Sequence, residues 1–73
     1  MIRWLNVDKY YETAVPPGFT LAIYQPGGYG AWNFSLHTDE GELAHWGTAR
    51  SRDNARRLAM AFYQHEMSEA RLP

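Results

Sequence analysis

Apolar and polar residues alternate with strand period at two places in the chain. Phe19, Leu21 and Ile23 alternate with Thr20, Ala22 and Tyr24. Trp32, Phe34 and Leu36 alternate with Asn33, Ser35 and His37. Between them lies Pro26-Gly27-Gly28-Tyr29-Gly30, a turn by composition. A third, shorter strand is expected over Glu42–Thr48. The connection Asp39-Glu40-Gly41 suits a type I turn closed by a left-handed glycine, the three-residue hairpin that ends in a bulge.

The turns set an expected register. Thr38 would pair with Glu42, placing Leu36 against Ala44 and Phe34 against Trp46. Gln25 would pair with Gly30, placing Ile23 against Trp32 and Leu21 against Phe34. One face then gathers Phe19, Leu21, Ile23, Trp32, Phe34, Leu36, Ala44 and Trp46. A slip of one residue would bury His45 and expose Trp46, because side chains alternate between faces.

Helical spacing follows. Ala55, Leu58, Ala59 and Phe62 recur on one side, and Met60, Tyr63 and Met67 widen the apolar band. Ser51 is a good N-cap and Asp53 sits in the first turn. The helix is expected over residues 51–70. Residues 1–17 are harder to read. Trp4, Leu5, Tyr10 and Tyr11 follow no clean period, so an edge strand, a short helix and a packed arm all fit. Pro16-Pro17-Gly18 separates this arm from the sheet at 18–48. The expected fold is a single α+β domain. It has a three-stranded antiparallel meander, open to a fourth strand from the N-terminal arm, with one C-terminal helix packed on one face.

Composition supports a folded chain with an unusual core. Leu, Ile, Val and Phe supply only 13 of 73 residues, yet aromatics reach 15% and net charge is −1. Three Trp, five Tyr and three Phe provide the burial that aliphatic residues do not. A chain of this length buries only about 60% of its unfolded surface. With no cysteine there is no disulfide, thiolate metal site or cysteine nucleophile. No apolar stretch has the length of a signal sequence or membrane span, so a cytoplasmic location is expected.

Candidate chemistry is sparse. One sheet face would remain open, carrying Thr20, Ala22, Tyr24, Asn33, Ser35, His37, Leu43 and His45. In that register His37 and His45 lie diagonally and Ser35 falls opposite His45. A metal site needs three or four ligands, and no third has an obvious position. A serine nucleophile needs an orienting acid and an oxyanion hole, and neither is suggested. Neither an enzyme nor a cofactor is expected.

The strongest local signal is basic. Arg50, Arg52, Arg56 and Arg57 crowd the helix N-terminus, against the helix dipole. A solvated helix face, contact with nucleic acid and contact with an acidic protein surface are all compatible with this cluster. Near-neutral overall charge disfavours strong nonspecific nucleic-acid binding. Asp39, Glu40 and Glu42 make the molecule bipolar.

Gly27-Gly28-Tyr29, then Gly47-x-Ala49 leading into the helix from Ser51, resembles the N-terminal domain of HicB-like antitoxins. That resemblance implies a domain that covers a toxin. The size, the lack of cysteine and the hairpin FTLAIYQPGG…WNFSLHTDEG are similar to small phage inhibitors of the anti-CRISPR type. This second resemblance implies a non-enzymatic protein-binding module that blocks a host nucleic-acid-handling complex. Tyr24 and Tyr29 would be its anchors. Asp39, Glu40 and Glu42 would face basic host surfaces, and Arg50, Arg52, Arg56 and Arg57 an acidic patch. A homodimer and a monomer are equally open.

Overall fold

The computed structural model describes residues 2–71 and shows an α+β fold of five antiparallel strands and one helix. Strands β1 (Leu5–Asp8), β2 (Tyr11–Ala14), β3 (Phe19–Tyr24), β4 (Trp32–Thr38) and β5 (Leu43–Ala49) lie in the sheet in chain order. Helix α1 (Arg52–Arg71) follows β5 and packs against β3, β4 and β5. The core sits between sheet and helix. It comprises Ala14, Leu21, Ile23, Trp32, Phe34 and Leu36 from strands, with Ala55 and Ala59 from the helix. Two alanines on the buried side let the helix approach the sheet closely. Phe62 stacks on Phe34 at 5.7 Å between ring centroids.

The helix begins where its sequence signals it. The Asn54 N–H donates to Ser51 Oγ at 3.2 Å and the Ala55 N–H to the Ser51 carbonyl at 2.9 Å. Ser51 thus satisfies a backbone donor that has no partner within the helix.

The N-terminal arm differs from expectation. It supplies two strands, β1 and β2, rather than one strand or none (Met1 lies outside the described residues). The reason is Glu12. This residue occupies an inward position of β2, two before Ala14, and is only 1% exposed. A carboxylate on the core side inverts the apolar–polar alternation by which a strand is read.

Register also departs from expectation in two places. Between β3 and β4, Ile23 faces Phe34 and Leu21 faces Leu36, a shift of two residues from the expected pairs. A shift of two preserves the face, so the core residues are those expected. The cause is a wider connection. Gly27, Gly28 and Gly30 all have positive φ, and the Gln25 side-chain amide reaches across to the Gly30 carbonyl at 2.8 Å.

Between β4 and β5 the three-residue turn forms as expected. The Thr38 N–H donates to the Glu42 carbonyl and Gly41 has φ of 87°. Beyond it, however, the register shifts between Leu36 and His37, leaving Ala44 as the extra residue. His45 then faces Leu36, and Gly47 rather than Trp46 faces Phe34. Sterics explain the choice. A Cβ on Gly47 would lie 2.8 Å from Phe34 Cε1, so the Phe34 ring occupies the space that a side chain there would need. Trp46 opposite Phe34 would put two large rings under one helix. The bulge sends Trp46 outward, where it is 71% exposed. His45 turns inward and stacks on Phe62 at 4.4 Å.

Candidate functional site

The sheet face away from the helix is uncovered. Cross-strand pairing places Thr13, Ala22, Ser35 and Trp46 in one row and Tyr11, Tyr24, Asn33 and Thr48 in the next. Thr20, His37 and Leu43 form a third. Ala22 and Ser35 are small and buried, and they form the floor of a shallow groove of about 510 Å³. Tyr11, Tyr24, Leu43 and Trp46 form its walls. Tyr11 and Tyr24 face each other at 6.2 Å between centroids. None of the groove-lining residues is a Lys, Arg, Asp or Glu.

Seven of the eight residues expected on this face are there; His45 is not, while Tyr11 and Thr13 from β2 and Trp46 and Thr48 from β5 join it. Trp46 stands where His45 was expected. His37 and His45 therefore lie on opposite sides of the sheet. His45 Nε2 instead lies 3.5 Å from Glu66 Oε2 on the helix. Ser35 faces Trp46 rather than a histidine. The Ser35–His45 pair and the diagonal histidine pair are thus absent. Among the described residues, no three His, Cys, Asp or Glu side chains gather closely enough to hold a metal ion.

The arginine cluster divides. Arg56 donates through Nε at 2.8 Å and through Nη2 to Glu12 Oε1. Arg52 Nε lies 3.3 Å from Glu12 Oε2, and its Nη2 donates to the Lys9 carbonyl at 2.7 Å. Its guanidinium also sits 5.0 Å from the Trp32 ring centroid, within range of a cation–π contact. Two of the four arginines therefore neutralise a buried carboxylate and fasten the N-terminal hairpin to the helix. Arg50 and Arg57 are exposed. The internal anion explains why basic residues gather at the positive end of a helix dipole.

The remaining candidates are spread over the surface. Tyr24 lies on the open face. Tyr29 projects from the β3–β4 loop, 79% exposed. Asp39, Glu40 and Glu42 are exposed at the β4–β5 turn, next to the His37–Leu43 row. Sequence reasoning missed Trp46, Tyr11 and Leu43 as a set. The signal for Trp46 was the glycine beside it, which leaves room for only one of two neighbouring positions to face the core. No helix among the described residues is long and apolar enough to cross a membrane. Comparison of the chain with protein-family models, with curated proteins and with solved structures found no match.

Proposed function

We propose that this protein is a non-enzymatic protein-binding module whose docking surface is the open face of the sheet. The observation that carries this reading is the exposed Trp46 standing beside a groove floored by Ala22 and Ser35. Interface energy concentrates in aromatic residues that enter well-packed, desolvated sites. A face with Trp46, Tyr24 and Tyr11 around small floor residues supplies both knob and recess. Its lack of fixed charge keeps the cost of desolvation low.

The partner chemistry follows from what borders the groove. Asp39, Glu40 and Glu42 rim one end, so the partner surface would be apolar at its centre and basic at that rim. Basic protein surfaces of this kind include those that hold nucleic acid. Blocking such a surface on a host complex is the mechanism implied by the resemblance to small phage inhibitors. Arg50 and Arg57 remain available for an acidic patch on the same partner.

The test is capture of partners from nuclease-treated host lysate with wild-type protein, Trp46→Ala and Asp39→Lys/Glu40→Lys. The expected result is one stoichiometric protein partner that both variants lose. That partner's nucleic-acid binding should be inhibited by the wild-type protein and not by Trp46→Ala. Recovery of RNA or DNA alone, lost on Arg50→Glu/Arg57→Glu and kept by Trp46→Ala, would refute the reading in favour of a nucleic-acid-binding module. A captured small toxin would move the weight to the antitoxin reading.

A further inference from the structure

The two edges of the sheet are unequal. Strand β1 is four residues long, carries Asp8 and is interrupted by a bulge between Asn6 and Asp8. Short length, charge and bulges are the devices that keep an edge from pairing with another chain. Strand β5 is seven residues long and contains neither proline nor a Lys, Arg, Asp or Glu. Its bulge lies at Ala44, which leaves His45–Ala49 as a regular stretch centred on Gly47.

The hydrogen-bond phase shows which groups this edge offers. The Gln25 N–H donates to the Tyr10 carbonyl, which makes Tyr10–Gln25 a hydrogen-bonded pair. Alternation across β3 and β4 then makes Ser35–Trp46 and Asn33–Thr48 non-hydrogen-bonded pairs. The N–H and C=O groups of Trp46 and Thr48 therefore point away from β4, off the free edge.

Charge flanks the strand asymmetrically. Glu42 immediately precedes β5 and Arg50 immediately follows it, and both are exposed. Such a strand is complementary to itself when antiparallel, because that arrangement sets each acidic end beside the basic end of the other copy. A parallel arrangement would oppose like charges.

We infer that β5 pairs antiparallel with β5 of a second copy about a two-fold axis at Gly47. Trp46 of each copy faces Thr48 of the other, and their outward N–H and C=O groups bond across the axis. Counted from the axis, Glu42 of each copy lies five positions out and Arg50 of the other three, an offset of two that long side chains at the strand ends can span. The helix side of the axis carries Gly47, Ala49 and His45, the last stacked on Phe62 of its own helix. The product is a continuous ten-stranded sheet with both Trp46 rings on one enlarged open face. The paired stretch, His45–Ala49 of each copy, is about 17 Å long at the usual rise per residue. So short a pairing falls short of the ~1,000 Å² of total buried surface that a stable specific interface needs, so the association is a weak one. The dimer is therefore expected to form only at high protein concentration. This inference is independent of which protein docks on the open face.

Sedimentation equilibrium of the full chain, with circular dichroism to confirm folding, tests it. The wild-type protein should show concentration-dependent mass approaching twice 8.4 kDa. Thr48→Pro removes an outward N–H without touching the inner ladder, and should be monomeric with an unchanged spectrum. Glu42→Arg and Arg50→Glu should each raise the dissociation constant about tenfold or more. The double exchange Glu42→Arg/Arg50→Glu should restore it. A wild-type protein that stays monomeric at hundred-micromolar concentration would overturn the proposal. So would a dimer that survives Thr48→Pro and both single exchanges but is lost on Tyr24→Ala, which would mean face-to-face packing. If Thr48→Pro unfolds the chain, the charge exchange with its rescue decides alone.

Discussion

Removing Arg56 should cost more stability than altering the carboxylate it holds. Glu12 is 1% exposed, whereas the Arg56 and Arg52 side chains are 34% and 43% exposed. In Arg56→Met, the Glu12 carboxyl group stays buried, with Arg52 at 3.3 Å as its remaining cation. Stranding a buried charge in this way costs about 3–5 kcal/mol. In Glu12→Gln the arginines keep access to water, so only the charge-assisted part of two hydrogen bonds is lost, about 2 kcal/mol. Replacing both partners, Glu12→Leu with Arg56→Met, removes the charge together with its need for a partner, and should cost less than about 2 kcal/mol. These amounts are large against a whole-domain stability of about 4–11 kcal/mol. The assay is urea unfolding followed by tryptophan fluorescence and far-ultraviolet circular dichroism. With a slope near 1 kcal/mol per molar urea, Arg56→Met should lower the midpoint by about 3 M or leave the chain unfolded in buffer. If Arg56→Met costs less than about 1 kcal/mol, water reaches the Glu12 carboxylate and the reasoning fails. It fails equally if the double variant is as unstable as Arg56→Met.

Three further outcomes are expected. Gly47→Ala should destabilise the fold by about 1–3 kcal/mol, because its Cβ would meet the Phe34 ring at 2.8 Å; a melting temperature equal to wild type would show that the ring moves aside freely. Ser51→Ala should cost about 1 kcal/mol through loss of the helix cap, read as a melting-temperature drop of about 4–8 °C. Trp46→Ala should leave unfolding free energy within about 0.5 kcal/mol of wild type, since the side chain is mostly in solvent; a larger loss would place Trp46 in the core after all.

Much of the architecture is legible from the chain. Alternation at Phe19–Tyr24 and Trp32–His37, the Asp39-Glu40-Gly41 turn and the capped helix from Ser51 all form as their patterns imply. What escapes is what local pattern cannot carry. Strand β2 is hidden because Glu12 sits inward, and a buried glutamate is tolerable only when cations arrive from elsewhere in the chain. Arg52 and Arg56, placed against their own helix dipole, were the trace of that distant anion. The β5 register escapes for a different reason. Hydrophobicity favours Trp46 inside, but volume decides, and Phe34 needs the space that only Gly47 leaves. The open face was legible as a surface, while its strongest anchor became visible only once the bulge was seen.

The contact between Glu12 and Arg56 joins residues 44 positions apart. Closing so long a loop is entropically costly before other structure has shortened it. The hairpins of β3, β4 and β5 and the following helix need only local closures, so they can assemble first. The N-terminal hairpin would then dock last, onto a surface already formed. In kinetic terms, weakening this contact should accelerate unfolding while leaving the refolding rate nearly unchanged, a φ-value near zero at Arg56. A buried ion pair placed there acts as a late latch: it sets how long the folded chain lasts rather than how quickly it is reached.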